Sequence, residues 1–506
     1  MPNKPESNNI DTDINNAINT NASDEFTIKQ TKIKKSTVEF NEEGIPILSR
    51  QRIYMAVASL CIAIFLASLD GTIIVTALPT MANIFNAADS IHWLITANLL
   101  ANTCFQPLFG KFSDIFGRKE TLIGAIIIFE IGSLISGFAK SISLLIFSRA
   151  LTGVGAAGLQ VMVLVVISEM VPLRERGRYS GLVGVAFGLA SVIGPLLGGF
   201  LTDKVSYHWC FFINIPIGIL AGIFIALLVK TRKSEGSAKD KIKRIDFVGS
   251  LLLVSGLVML LIGLNFGGNE HKWISATVLC TMIIGALTLV AYVYYDLKVA
   301  KEPILPLKMF KHRNFWSITT AQFFMGFGLY GIIYAAPSYD SIVHNSTASH
   351  SGIFLLPFIL GMVILSFSAG LFITYTGRYR PMFISGTFIM AVGCGLLISI
   401  NENTKGVATA SFLAICGIGC GLCMQSFIIC VQATVPRNLI ASATSTIAFT
   451  RILSGTIGTT LSTIVQKSIV KSKITQLIAK FPTNAKVILA SLKKTSLIHT
   501  SSVPSE

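Results

Sequence analysis

The chain has 506 residues, of which 52% are hydrophobic and only 13% charged, with a formal net charge of +16 and a mean hydropathy of +0.67. A soluble domain carries about 25% charged residues, so composition excludes an ordinary soluble enzyme and dissolves the chain in lipid. Nor does the positive charge argue for nucleic acid: the basic residues sit in short loops between apolar runs, where the positive-inside bias of membrane proteins accounts for them.

Residues 1–50 are rich in Asn, Ser, Thr, Asp, Glu and Lys and are expected to form a disordered cytosolic tail with no signal peptide ahead of it. Within them, EEGIPIL (42–48) loosely resembles an acidic-dileucine sorting signal, with Ile47 in the first leucine place. Thirteen apolar runs follow, at 53–78, 91–110, 121–139, 142–167, 179–201, 209–229, 247–266, 273–295, 315–336, 351–374, 381–400, 407–434 and 439–466. Crossing a ~30 Å hydrocarbon core at ~1.5 Å per residue needs about 20 residues, so these runs predict an all-α membrane protein with about 13 transmembrane helices. The runs group into a first bundle (53–229), a basic cytosolic loop (230–246), two inserted spans (247–295), a linker (296–314), a five-span second bundle (315–466) and a polar basic tail (467–506). With the N-terminal tail counted, the loops on its side carry 28 Lys and Arg, against four in the opposite loops. That asymmetry places the N-terminus in the cytosol; by parity the C-terminal tail falls on the other side. Asn345-Ser346-Thr347 is a glycosylation sequon in a non-cytosolic loop.

Ionisable residues inside spans are costly and are functional candidates by default. Asp70, Glu130 and Arg149 come to similar depth in the first bundle, and Glu130 and Arg149 share a helical hairpin on which they are placed to pair. In one reading Asp70 carries a proton and Arg149 tunes it, since a nearby cation favours the charged carboxylate. In the other, the three form a satisfied network that fixes helix register; Asp70 is assigned to the first and Glu130 to the second. Asn98, Asn102 and Gln106 recur at i, i+4 and i+8 on one face and, with Gln160, either line a cavity or bond between helices. Arg451 has no acid in the later spans to pair with. Cys416, Cys420 and Cys423 lie in a Gly-rich apolar run, where close helix packing explains them better than metal ligation.

GKFSDIFGRKE (110–120) aligns without a gap with GLFITYTGRYR (370–380), 260 residues on, matching Gly110, Phe112, Gly117 and Arg118 to Gly370, Phe372, Gly377 and Arg378, with Thr374 at the place of Asp114. Both copies follow the second span of a half, as an internal repeat would require. The stretch resembles the loop signature of the major facilitator superfamily. LDGTIIVTALP (69–79), LIFSRALTGVGAAG (145–158), GLVGVAFGLASVIGPLLGG (181–199) and YHWCFFINIPIG (207–218) resemble, in order, further motifs of its fourteen-span drug:proton antiporter branch. The resemblance implies two bundles related by a pseudo-two-fold axis plus two inserted spans, and a chain lacking that branch's last span. It implies a cytosolic gate at Gly110, Asp114, Gly117, Arg118 and Lys119, with Asp114 receiving a basic residue or helix N-terminus from the other half. It also implies an antiporter motif at Gly181, Gly194, Pro195, Gly198 and Gly199.

The function so implied is proton-coupled antiport of a small organic solute: drug export or basic amino acid transport, from the plasma or vacuolar membrane. No nucleotide-binding signature, cofactor, metal site, nucleic acid or obligate protein partner is called for. One carboxylate in the first-bundle cavity suits a cationic or neutral solute. The alternative is a non-transporting receptor or inactive truncated paralogue on the same fold.

Overall fold

The computed structural model describes residues 49–480 apart from 88–89, 232–236, 268–271, 344–351, 402–403 and 405. The sorting-like stretch 42–48, the sequon at Asn345 and most of both tails lie outside the described residues. Thirteen long helices run through the rest: α1 (Arg50–Ile84), α2 (Trp93–Phe116), α3 (Arg118–Phe138), α4 (Ile142–Met170), α5 (Arg176–Lys204), α6 (Trp209–Leu228, with a turn at Ile213), α7 (Phe247–Phe266), α8 (Ala276–Lys298), α9 (Arg313–Val343), α10 (Leu356–Thr376), α11 (Arg380–Ile398), α12 (Gly406–Thr434) and α13 (Ile440–Lys480). In lipid a backbone must satisfy its own polar groups, so long apolar runs resolve into helices. Side chains cap several of them where they leave the apolar zone: Ser141 accepts from Leu144 N at 3.3 Å, Asp246 from Gly249 N at 2.8 Å and Ser275 from Val278 N at 3.4 Å. Among the described residues, eleven of the thirteen are long and apolar enough to cross a membrane by length and composition. The other two are α2, which carries Asn98, Asn102 and Gln106, and α13, which is dense in Ser and Thr.

The helix pairings repeat. In the first bundle α1 packs on α5, α2 on α4 and α3 on α4; in the second α9 packs on α13, α10 on α12 and α11 on α12. Between bundles, α2 packs on α13 and α10 on α5, which is one contact made twice, second span of one half against fifth span of the other. In the first bundle α6 also packs on α1 and α3.

The repeat has a backbone signature as well. Among the described residues the glycines with positive φ are Gly117 (φ 106°, ψ 152°) and Gly377 (φ 69°, ψ 4°), the pair that the internal alignment matches. Gly377 takes the left-handed conformation that ends many helices and that Asn tolerates. Gly117 sits in a region almost reserved for glycine, and it alone joins α2 to α3. Gly377→Asn is therefore expected to lower stability by about 1 kcal/mol or less, and Gly117→Asn by roughly 1–3 kcal/mol. Unfolding temperatures of the two variants in detergent check the ranking.

The inserted hairpin seals an interface. Leu253, Leu257 and Leu261 of α7 pack with Leu100, Cys104 and Leu108 of α2 and with Phe449, Leu453 and Ile457 of α13, so α7 covers the outer side of the α2–α13 seam. Charge ties its base down. Glu302, in the linker after α8, meets Lys111 Nζ at 2.9 Å and Arg244 Nε at 2.9 Å. Hydrogen bonding from Arg244, and then from Lys111, holds the Glu302 carboxyl down at about 2.

Cys416 and Cys423 lie at the α11–α12 interface, where a side chain at Gly393 or Gly386 would meet their sulfurs at 2.6 and 2.7 Å. There the small residues let two helices approach closely.

Candidate functional site

Asp70 lies midway along α1 and Arg149 two turns into α4; they are 1% and 2% exposed. Arg149 Nη1 donates to both carboxylate oxygens of Asp70, at 2.9 and 2.8 Å. Asn214, at the turn into the main part of α6, donates from Nδ2 to Asp70 Oδ1 at 3.0 Å and to Ser133 Oγ of α3 at 3.2 Å. Asn98 of α2 completes the ring: with its amide oxygen toward Arg149 it accepts from Nη2 at 3.0 Å and from the Gly153 N–H at 3.3 Å. Five helices thus converge on one ion pair. Arg149 Nε and Asn214 Oδ1 are still buried without partners.

Glu130 does not pair with Arg149. The stripe of α3 that faces α4 runs through Phe129, Gly132 and Ser136: side chains at Gly155 and Gly132 would meet Phe129 and Thr152, and Ser136 bonds Ser148 at 2.8 Å. Glu130 is one position round the helix, about 100° away, and turns to α6, where it fills the notch left by Gly218. Both its oxygens are buried without a hydrogen-bond donor. Ser133 on α3 and Asn214 on α6 make the next rung of the same seam, so Glu130 lies one helical turn from the ion-pair centre, toward the end that carries the basic loops.

Of the amides, Asn102, Gln106 and Gln160 form a second cluster. Gln106 Nε2 donates to Asn102 Oδ1 at 3.0 Å and to Gln160 Oε1 at 3.2 Å. Asn98, on the same face of α2, belongs to the ion-pair centre instead.

At the basic end the two halves touch on glycines. A side chain at Gly110 would run into Ser445 of α13, and Gly177 and Gly370 stand against each other's carbonyls. Asp114 meets neither a base nor a helix end of the other bundle. Gly117 turns the chain so that Arg118 folds back on it at 2.8 Å, and Arg118 also bonds Glu169 of α4 at 2.5 Å and the Ser113 carbonyl at 2.9 Å. Lys119 donates to the Ala226 carbonyl in α6. The contact expected of Asp114 is made by its counterpart: Thr374 accepts from Arg178 N at 3.0 Å, in the first turn of α5 across the interface. Arg176 Nη1 reaches Gln432 Oε1 at 3.2 Å beside it.

In α5, the space left by Gly194 and Gly198 is taken by Thr72, Ile73 and Thr76 of α1, and Gly181 lets Phe367 of α10 approach to 3.2 Å of where its Cβ would be. Gly199 has nothing near it, and α5 continues helical through Pro195.

Two helical bundles, mirrored in their pairings and closed at one end over a buried ion pair, define a multi-pass membrane transporter rather than an enzyme. Residues 60–459 match the Major Facilitator Superfamily, and the chain belongs to that family. It is 33% identical over 443 residues to the multidrug transporter protein MdtP of Bacillus subtilis, covering 87% of this chain and 81% of that one. It is 33% identical over 438 residues to the efflux pump dotC of Dothistroma septosporum, covering 87% and 75%. The structure superposes on the human organic anion transporter MFSD10 with a TM-score of 0.61 at 13% identity, over 82% of this chain and 93% of that one, a likeness of fold.

Asn214 and Glu169 are not singled out by the sequence analysis. Asn214 was visible as the first residue of an Asn-x-Pro-x-Gly stretch, and an amide at the mouth of an apolar run was the signal. Glu169 had none, for its partner Arg118 is 51 residues away.

Proposed function

We propose that the protein is a secondary active exporter of small organic solutes, driven by proton antiport and working by alternating access of its two bundles. The observation that carries this is the Asp70–Arg149 pair, buried mid-helix and held by Asn214 and Asn98 from two further helices. An intramembrane ion pair with orphaned donor and acceptor atoms beside it is poised to exchange partners. Both partners lie in the first bundle, so the exchange is a local shift coupled to the rocking: with the cytosolic side closed, a proton from the outer side displaces Arg149 from Asp70, and after the bundles rock Arg149 returns to the carboxylate and releases that proton to the cytosol. The glycine contacts at the basic end supply the gate. Positive-inside charge turns that end toward the cytosol, so the structure is the form closed on the cytosolic side, in the plasma or vacuolar membrane.

Relatives named as a multidrug transporter and an efflux pump support drug or xenobiotic cargo. Basic amino acid carriage is the second cargo class of this reading, and the vesicle assay below distinguishes it when a basic amino acid is supplied beside the dyes.

The test is flux into vesicles holding the purified protein, with an imposed pH gradient and no ATP, using ethidium and fluorescein as cargo. Movement of at least one dye that stops when a protonophore collapses the gradient is the expected result. Glu130→Gln should keep most of that flux, since Glu130 makes no bond to the centre. Gradient-independent behaviour of both dyes would sink the antiport mechanism and leave a receptor on the same fold.

A further inference from the structure

The inserted hairpin and the start of the linker, residues 244–307, are bonded into one body. Within it α7 and α8 meet on glycines: a Cβ at Gly285 would lie 2.7 Å from Leu260 N, and one at Gly256 would lie 2.9 Å from the Leu289 side chain. Hydrogen bonds close the base. Asp246, which caps α7, accepts from Tyr295 Oη of α8 at 3.1 Å. Arg244, just ahead of α7, donates to both oxygens of Glu302 beyond α8, at 2.9 and 3.1 Å. The linker is bound in as well. Leu305 N donates to Tyr292 Oη at 3.3 Å, Tyr292 in turn donates to Asp296 Oδ1 at 3.3 Å, and Leu307 N donates to Asp296 Oδ2 at 3.5 Å. Past Leu307 the chain turns to other neighbours. Phe310, in the short helical turn Leu307–Lys311, packs edge-on against Phe315 of α9 with ring centres 5.1 Å apart.

This body touches both halves, and holds them differently. To α2 it is tied by charge as well as packing. Lys111 Nζ, one residue past the Gly110 contact, meets Glu302 Oε2 at 2.9 Å, and Ile304 and Leu305 join the α7 leucines in the apolar cluster with Leu100, Cys104 and Leu108. Toward α13 it meets the apolar side chains of Phe449, Leu453 and Ile457. Apolar contact is non-directional and re-forms when one surface slides on another, whereas a charge-assisted hydrogen bond holds a particular geometry. Because α2 and α13 face each other across the two bundles, α7 cannot keep both neighbours unchanged when the basic end opens. We propose that α7, α8 and the linker through Leu307 travel with the first bundle, clasped to α2 by Glu302, as a fixed rail past which α13 moves, and that the chain passes to the second bundle at residues 308–310. Bonds from Arg244 and Lys111 hold the Glu302 carboxyl down at about 2, so the pH changes that drive antiport leave the clasp charged. This rests on the alternating-access reading, and it assigns the two inserted spans, which the internal repeat leaves outside both halves, to one moving body.

Distances between spin labels in the full-length protein in lipid nanodiscs test it, with the labels carried on encoded amino acids because Cys280 is exposed. Lys298, at the end of α8, is paired in turn with Glu120 near the start of α3 and with Arg378 just ahead of α11, all three exposed. Gly370→Ala sets a Cβ against the Gly177 carbonyl and Gly177→Ala sets one against the Gly370 carbonyl, so both are expected to open the basic end, seen as a longer Glu120–Arg378 distance. In them Lys298–Arg378 should lengthen along with it, while Lys298–Glu120 keeps its wild-type distribution. Glu302→Gln added to Gly370→Ala should release the clasp, and the Lys298–Glu120 distribution should then spread to longer distances. An unfolding temperature near that of wild type shows that each variant folds, and either glycine variant suffices. Lengthening of Lys298–Glu120 with Glu302 intact, or a Glu302→Gln double variant that matches Gly370→Ala alone, overturns the proposal by itself. If neither glycine variant parts Glu120 from Arg378, the proposal falls together with the opening of the basic end on which it rests.

Discussion

Asp70→Asn is expected to stop gradient-driven flux and also to destabilise the protein, and the two effects separate in a double variant. Removing one partner of a buried ion pair leaves the other charge uncompensated, at a cost of roughly 3–5 kcal/mol. Arg149 cannot move to water, for it is 2% exposed and walled by α1, α2 and α4. Arg149→Gln should destabilise by a similar amount for the mirror reason. Asp70→Asn combined with Arg149→Gln removes both charges and leaves amides that can bond to Asn98 and Asn214. Its stability should return most of the way to wild type, a coupling between two contacting sites that single variants cannot reveal. Flux should not return. If the pair only fixed the register of α1 against α4, restoring stability would restore flux with it. Unfolding temperatures in detergent and dye flux in vesicles, measured on the same four proteins, decide between the two roles.

The sequence was most readable where lipid imposes the rule. Apolar length delivered the helices, including α2 and α13, because loop charge and turn residues framed those runs even where Asn, Gln, Ser and Thr diluted them. The glycines of the 110–120 and 370–380 loops were readable too, since φ values of 106° and 69° leave little choice of residue at 117 and 377. Azimuth was not. Depth arithmetic put Asp70, Glu130 and Arg149 at one level, but whether two of them meet depends on which face of a helix turns where, and one residue of difference rotates a side chain by about 100°. That is why Glu130 ended against Gly218 and Asp70 took Arg149 with Asn214. The gate shows the same limit. Thr374 stands where the first copy has Asp114, yet its hydroxyl makes the cross-bundle bond to Arg178 N, while the retained acid, Asp114, is occupied by Arg118 within its own half. Residue type alone does not say which of two related copies carries the contact.

Side chains added at Gly370 and Gly110 should hold the carrier open at its basic end, and unequally. A Cβ at Gly370 would overlap the Gly177 carbonyl and lie 2.9 Å from its carbon, and a Cβ at Gly110 would meet Ser445, with Ser445 Cβ at 2.7 Å. Overpacking of this kind costs about 1–3 kcal/mol. The cost falls on the closed form alone, because that form makes the contacts, so it converts directly into population at about 1.4 kcal/mol per tenfold. The obstacles differ in kind. Ser445 is a side chain and can be trimmed, whereas Gly177 presents backbone in the first turn of α5. Gly370→Ala should therefore open the gate more than Gly110→Ala does. Adding Ser445→Gly should restore closure to Gly110→Ala, while Gly370→Ala, clashing with backbone, should have no such rescue at position 177. Distances between spin labels at the exposed positions Glu120 and Arg378 would report it, with a longer population growing in Gly370→Ala. An unchanged distribution in that variant would mean that the glycine contacts between α5 and α10 are ordinary packing, kept in every state of the cycle.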